Sequence, residues 1–220
     1  MQTQDRSVRF NAGGVYVEAD VSMPEDAVAI VLFVHGSGSS RHSPRNQFVA
    51  GHLHAQRLGT VLVDLLTPDE ERADQFTGHL RFDIGFLTRR VTAIVDEMRY
   101  EWHLPCGLFG ASTGSAASLV VAAKHPKQIS AIVSRGGRPD LAGESLSTVQ
   151  APTLLIVGED DRDVVDLNRR AMARMQGEVR LEIVPGASHL FHEPGALEAV
   201  AHLAGNWFTS HLGNTGSVRP

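Results

Sequence analysis

Residues 27–34 form an unbroken run of eight apolar side chains, and similar, largely apolar stretches recur at 60–65, 107–109, 131–134, 153–157 and 179–184. A strand-length run without polar alternation suits a strand buried on both faces, which is the condition of a parallel sheet. Helical patterns separate these runs. Ile84, Leu87, Val91, Val95 and Met98 recur at three- and four-residue spacing behind Asp83, a residue suited to an N-cap. Residues 114–124 are rich in alanine, and 164–175 carry apolar residues at helical spacing. Leu197, Val200, Ala201, Ala204 and Phe208 make one stripe of a final helix. Strands alternating with helices predict βαβ units with right-handed crossovers, so the fold class is α/β with helices on both faces of the sheet. Residues 7–10 and 15–21 flank Ala12-Gly13-Gly14 and predict an antiparallel hairpin at one edge.

The chain has 220 residues, which is ample for one core. We expect a single domain over 1–212 and a frayed tail over 213–220, where no apolar residue offers an anchor. A net charge of −5 disfavours nucleic acid as a partner. The longest apolar run falls well short of the roughly 20 residues of a membrane span, and the first residues do not resemble a leader. The expected setting is therefore the cytoplasm, with no membrane partner. Cys106 is the only cysteine, which excludes an internal disulfide and a multi-cysteine zinc site. No metal or other cofactor is expected.

In open sheets of this kind ligands bind beyond the carboxyl ends of the strands. Four such ends carry chemistry. After the strand ending at Phe109 comes Gly110-Ala111-Ser112-Thr113-Gly114, followed by a helix. This G-x-S-x-G turn needs its glycines because side chains there would strike the neighbouring strand and helix. It lifts the Ser112 hydroxyl to a helix N-terminus, whose dipole favours developing negative charge. After Val34 comes His35-Gly36-Ser37-Gly38-Ser39-Ser40. That loop lacks the lysine of a P-loop and the third glycine of a dinucleotide fingerprint. It can instead aim the Ser37 N–H into the cleft beside that of Thr113, forming an oxyanion hole. Ser37, Ser39 and Ser40 are rival nucleophiles, but they lie on a loop without an elbow. After Val157 comes an acidic loop with Asp160, Asp161 and Asp163, and after Val184 comes a loop carrying His189. The order Ser, Asp, His belongs to the α/β-hydrolase arrangement.

Four segments carry a resemblance: 35–41, 109–114, 134–140 and 183–191. Through them the chain resembles the α/β-hydrolase superfamily, and within it the small dienelactone-hydrolase-like group, including hydrolase modules found joined to phosphoribosyltransferases. The resemblance runs over nearly the whole chain. It implies that Ser112 is the nucleophile, His189 the base and Asp161 the acid of a serine esterase. Dienelactone hydrolases proper have cysteine at the elbow, so serine here favours general ester hydrolysis over dienelactone as substrate. Asp163, just before Val164-Val165, reads as a helix N-cap, and Asp140 is the alternative acid. His192 is the alternative base. Arg135 and Arg138 follow a strand and are candidates to hold an anionic part of the substrate, or to pair with Asp140 or the acidic loop for structural reasons.

The expected reaction is cleavage of small or medium carboxylic esters through an acyl-enzyme, without cofactor. About 18 residues separate Ser134 from Thr153, room for a loop and one short helix but no cap domain. Residues 66–82 are the expected source of cleft walls. The same triad would serve a thioesterase, an amidase or a lactone hydrolase, and a binding module that has lost catalysis is the reading from another class. The expected partners are a small-molecule ester and, at most, a second copy of the chain in a homodimer.

Overall fold

The computed structural model describes residues 3–213. The expectation of a frayed tail falls almost wholly on residues 214–220, outside the described residues. Eight strands form one sheet in the order β1-β2-β4-β3-β5-β6-β7-β8. Here β1 is Thr3–Asn11, β2 Tyr16–Pro24, β3 Ala29–Val34, β4 Leu58–Val63, β5 Cys106–Ala111, β6 Ala131–Arg135, β7 Thr153–Gly158 and β8 Val179–Val184. The hairpin of β1 and β2 joins antiparallel to β4, and β4 through β8 run parallel. This is the α/β-hydrolase fold, with the antiparallel hairpin at one edge.

Period-two alternation sorts each apolar run onto two faces. Ile30, Leu32 and Val34 join one core with α4 (Ile84–Trp102) and α5 (Thr113–Lys124). Val31 and Phe33 join the other, with α1 (Pro44–His54) and α7 (Ala196–Leu212). Both faces being covered is what lets these strands be apolar throughout. Asp83 caps α4 as expected, accepting from the Phe86 N–H.

Two elements depart from the sequence reading. Residues 66–82 hold helices: α2 (Pro68–Thr77) and the single turn α3 (His79–Phe82). Thr67 and Glu70 form a capping box at the start of α2, each side chain bonding the other's backbone N–H. The second departure is at α6 (Arg162–Met172), where Asp161 and not Asp163 holds the N-cap position. Asp163 instead lies in the first turn, because the helix begins two residues earlier than its apolar pattern.

Between β6 and β7 there is only a 3₁₀ segment, Pro139–Thr148, and no cap domain. Among the described residues no helix is long and apolar enough to cross a membrane.

Candidate active site

The turn from β5 to α5 puts Ser112 at φ 48°, ψ −122°. That left-handed backbone is costly for a residue with a side chain and is held only where the surroundings force it. The flanking glycines show the force. A Cβ on Gly114 would lie 2.1 Å from the Val34 carbonyl oxygen, and one on Gly110 would lie 2.6 Å from Ser115 Cα. The elbow is wedged between the end of β3 and its own helix, as the sequence reading required.

The 35–38 loop is pressed onto this elbow. A Cβ on Gly36 would meet Ser112 Cβ at 2.7 Å. His35, buried, anchors the loop from below. The Leu65 N–H donates to its Nε2 (3.0 Å), so the ring proton is on Nδ1, which donates to the Gly36 carbonyl (2.9 Å). Burial pushes the His35 pKa down, which keeps the ring neutral as this pairing requires. His35 was part of the loop motif in the sequence, but its anchoring role was not legible there, since the partner N–H comes from the end of another strand. The Ser37 and Thr113 N–H groups have no backbone acceptor among the described residues.

His189 and Asp161 are brought together across the ends of β8 and β7. His189 Nδ1 lies 2.5 Å from Asp161 Oδ2, with the histidine side chain 43% exposed and the carboxylate 16% exposed. The two loops are stitched by the Asp160 N–H donating to the Ala187 carbonyl and the Gly186 N–H donating to Glu159. Asp140, the alternative acid, is engaged elsewhere. It accepts both Nε and Nη2 of Arg138 at 2.9 and 2.8 Å. Arg138 is thus paired structurally, while its backbone N–H donates to the Ser112 carbonyl (3.1 Å). Arg135 is buried and makes no such pair.

No hydrogen bond joins Ser112 to His189 among the described residues. Such bonds are commonly long without substrate and tighten on binding. The His189 ring lies over Gly136, where a Cβ would come within 3.5 Å of Cε1. Cys106 takes no part. It is fully within the core, and burial pushes its thiol up to about 12.

Beside the 35–38 loop opens a cleft of about 330 Å³, lined among others by Glu18, His35, Ser39, Arg41, Asp64 and Glu71. Arg41 is held there by Asp64, to which its backbone N–H also donates (2.8 Å). The wall from Leu66 onward comes from the segment the sequence reading had marked.

No protein-family model matches the chain. A crystal structure of dienelactone hydrolase from Anabaena variabilis is 51% identical, with a TM-score of 0.94 over 96% of this chain and 100% of that one. Est1E from Butyrivibrio proteoclasticus superposes with a TM-score of 0.80 over 94% of this chain and 99% of its own, at 14% identity, a likeness of fold. Two proteins of Mycobacterium tuberculosis, from strains H37Rv and CDC 1551, carry the name phosphoribosyl transferase. Each is 50% identical over 216 residues, 97% of this chain but 48% of its own. The chain therefore spans about half the length of these curated relatives. With the elbow, the loop stack and a relative matched end to end at half identity, this chain belongs to the dienelactone-hydrolase family of α/β hydrolases.

Proposed function

We propose that the chain is a serine hydrolase that cleaves small or medium carboxylic esters through an acyl-enzyme. The observation that carries this reading is the Asp161–His189 pair at 2.5 Å, set at the carboxyl end of the same parallel sheet as a serine forced into positive φ. His189 Nε2 takes the proton of Ser112 as Oγ attacks the ester carbonyl carbon. The carbonyl oxygen becomes an oxyanion and rests on the N–H groups of Ser37 and Thr113. The tetrahedral intermediate then collapses, the carbon–oxygen bond to the alcohol breaks, and His189 gives its proton to the leaving alkoxide. Water attacks the acyl-enzyme by the same route, releasing the acid and restoring Ser112. Asp161 orients the ring and balances its charge while it is protonated.

The size class follows from the open site: only the 3₁₀ segment lies between β6 and β7, and the neighbouring cleft is about 330 Å³. Among the described residues no lid segment is inserted between β6 and β7. The experiment is a panel of p-nitrophenyl esters of increasing acyl length, run with Ser112→Ala beside the parent. Turnover that peaks at short or medium acyl length and vanishes in the variant supports the reading. Turnover retained by Ser112→Ala, or hydrolysis of none of the panel, sinks it. Thioesters, amides and lactones in the same assay separate the alternatives that share this triad.

A further inference from the structure

Residues 135–138 run directly beneath the candidate catalytic residues, with Gly136 against the His189 ring and the Arg138 N–H on the Ser112 carbonyl. Arg135 opens this segment. It pairs in register with Ala111, the residue before Ser112. On β6, Ser134 turns to α5, where its hydroxyl meets that of Ser115 at 3.0 Å. Alternation therefore sends Arg135 to the opposite face, toward α1 and α7, where Val133 also lies. Arg135 is 8% exposed there, and its Nη1 has no partner. No acid pairs with it among the described residues, although thirteen arginine–carboxylate pairs are formed elsewhere.

A second cation makes the omission sharper. Arg45 stands in the first turn of α1, its Nε buried and without a partner. It is the charged neighbour that acts on Arg135, which burial and this like charge together push down to about 10. The first turn of α1 holds no acidic residue. A helix N-terminus carries about half a positive charge, so it favours acids and repels a cation placed there. Both guanidiniums thus lie on the α1 side of the sheet with no carboxylate paired to either among the described residues, Arg135 buried and Arg45 partly so. Burying unpaired charge is strongly unfavourable unless something completes the site.

We infer that Arg135 and Arg45, at the N-terminus of α1, form an anion subsite beside Ser112, and that the ester hydrolysed here carries a phosphate monoester. This rests on the ester-hydrolase reading above and names its substrate class. Charge selects phosphate. A phosphate monoester carries about −1.5 to −2 at neutral pH and offers three acceptor oxygens, which two guanidinium forks and a helix end can share. A carboxylate would leave one guanidinium uncompensated. Arg138 and Arg41 are not available for this role, since Asp140 and Asp64 hold them.

The test compares 1-acetylglycerol 3-phosphate with 1-acetylglycerol as substrates, with 3-acetoxypropionate as the carboxylate control. The parent should favour the phosphorylated ester in kcat/KM by about tenfold or more, as a charge-assisted contact worth about a tenfold step in equilibrium would give. That ratio should collapse toward one in Arg135→Gln and fall several-fold in Arg45→Gln. Titration calorimetry with inorganic phosphate gives a readout free of turnover. Heat of binding in the parent that is lost in Arg45→Gln supports the subsite even if Arg135→Gln does not fold. No preference for the phosphorylated ester while 1-acetylglycerol is turned over overturns the subsite and leaves the hydrolase reading standing. A preference for 3-acetoxypropionate overturns the choice of phosphate. If neither glycerol ester is turned over, the p-nitrophenyl panel decides the hydrolase reading and calorimetry decides the subsite: no heat with phosphate overturns it.

Discussion

Replacing Gly36 by alanine tests whether the 35–38 loop and the Ser112 turn act as one packed unit. The new methyl carbon would stand 2.7 Å from Ser112 Cβ and 3.0 Å from the Ala111 carbonyl oxygen. Carbon atoms rest at about 3.5–4.0 Å, so the loop and the elbow must separate by roughly 0.8 Å or more. Neither side yields freely, because the elbow is wedged by Gly110 and Gly114 and the loop is pinned through His35. A misplacement near 1 Å between nucleophile and oxyanion donor costs about 10²-fold in rate, and overpacking costs about 1–3 kcal/mol of stability. Steady-state kinetics on p-nitrophenyl acetate should show the loss in kcat with KM less affected, and a thermal melt should show a lowered Tm. Gly51→Ala is the matched control. Gly51 lies within α1 with nothing within 4 Å of its added carbon, so the same chemical change should stabilise by up to about 1 kcal/mol. Gly36→Ala with the parent's kcat and Tm would refute the packed-unit argument.

Other outcomes follow from the same geometry. Ser112→Ala should fold normally and lower kcat by about 10⁴ to 10⁶, and a fluorophosphonate should label Ser112 alone; a label on Ser37 or Ser39 contradicts the elbow. Asp161→Asn should lower kcat by about 10² to 10⁴, whereas Asp140→Asn, which only frees Arg138, should lower it less than about tenfold; the reverse ranking would exchange their roles. His35 has a folded pKa below its ordinary 6.5 because it is buried, so the unfolded chain binds the proton more readily. Its contribution to stability is full above that value and is lost as pH falls through the depressed folded value, so urea midpoints should decline from pH 7 to pH 5. A midpoint flat over that range counts against a neutral, anchoring His35.

Much of this architecture was legible because each strand that is covered on both faces announces itself as an apolar run, and each chemical residue follows one. The choice among acids was less so. Asp140, Asp160, Asp161 and Asp163 are all short acids near strand ends, and only the bidentate hold of Arg138 on Asp140 and the approach of the β7 and β8 loops separate them. The cap at α6 was misread because helix starts are set by backbone geometry, and the apolar pattern begins two residues inside. Helix α2 was missed although Thr67 and Glu70 stand at capping-box spacing, since the residues after them are too polar to show a stripe. Arg135 and Arg138 looked alike in sequence. They differ because one ends a strand on the buried face and the other has left the sheet.

The histidine read as the base hangs from β8, which is the last strand of the sheet and, among the described residues, pairs with β7 alone. Just one of its six residues is fully buried. Edge elements with few buried side chains open at lower free energy than the core does. Peeling back this strand would carry His189 away while Ser112 stays seated in the centre. On heating, esterase activity should therefore disappear at a lower temperature than the one at which the core melts, and return on cooling. Backbone amides of β8 should exchange with solvent faster than those of β5, and coincidence of the two exchange rates would show that the molecule opens only as a whole.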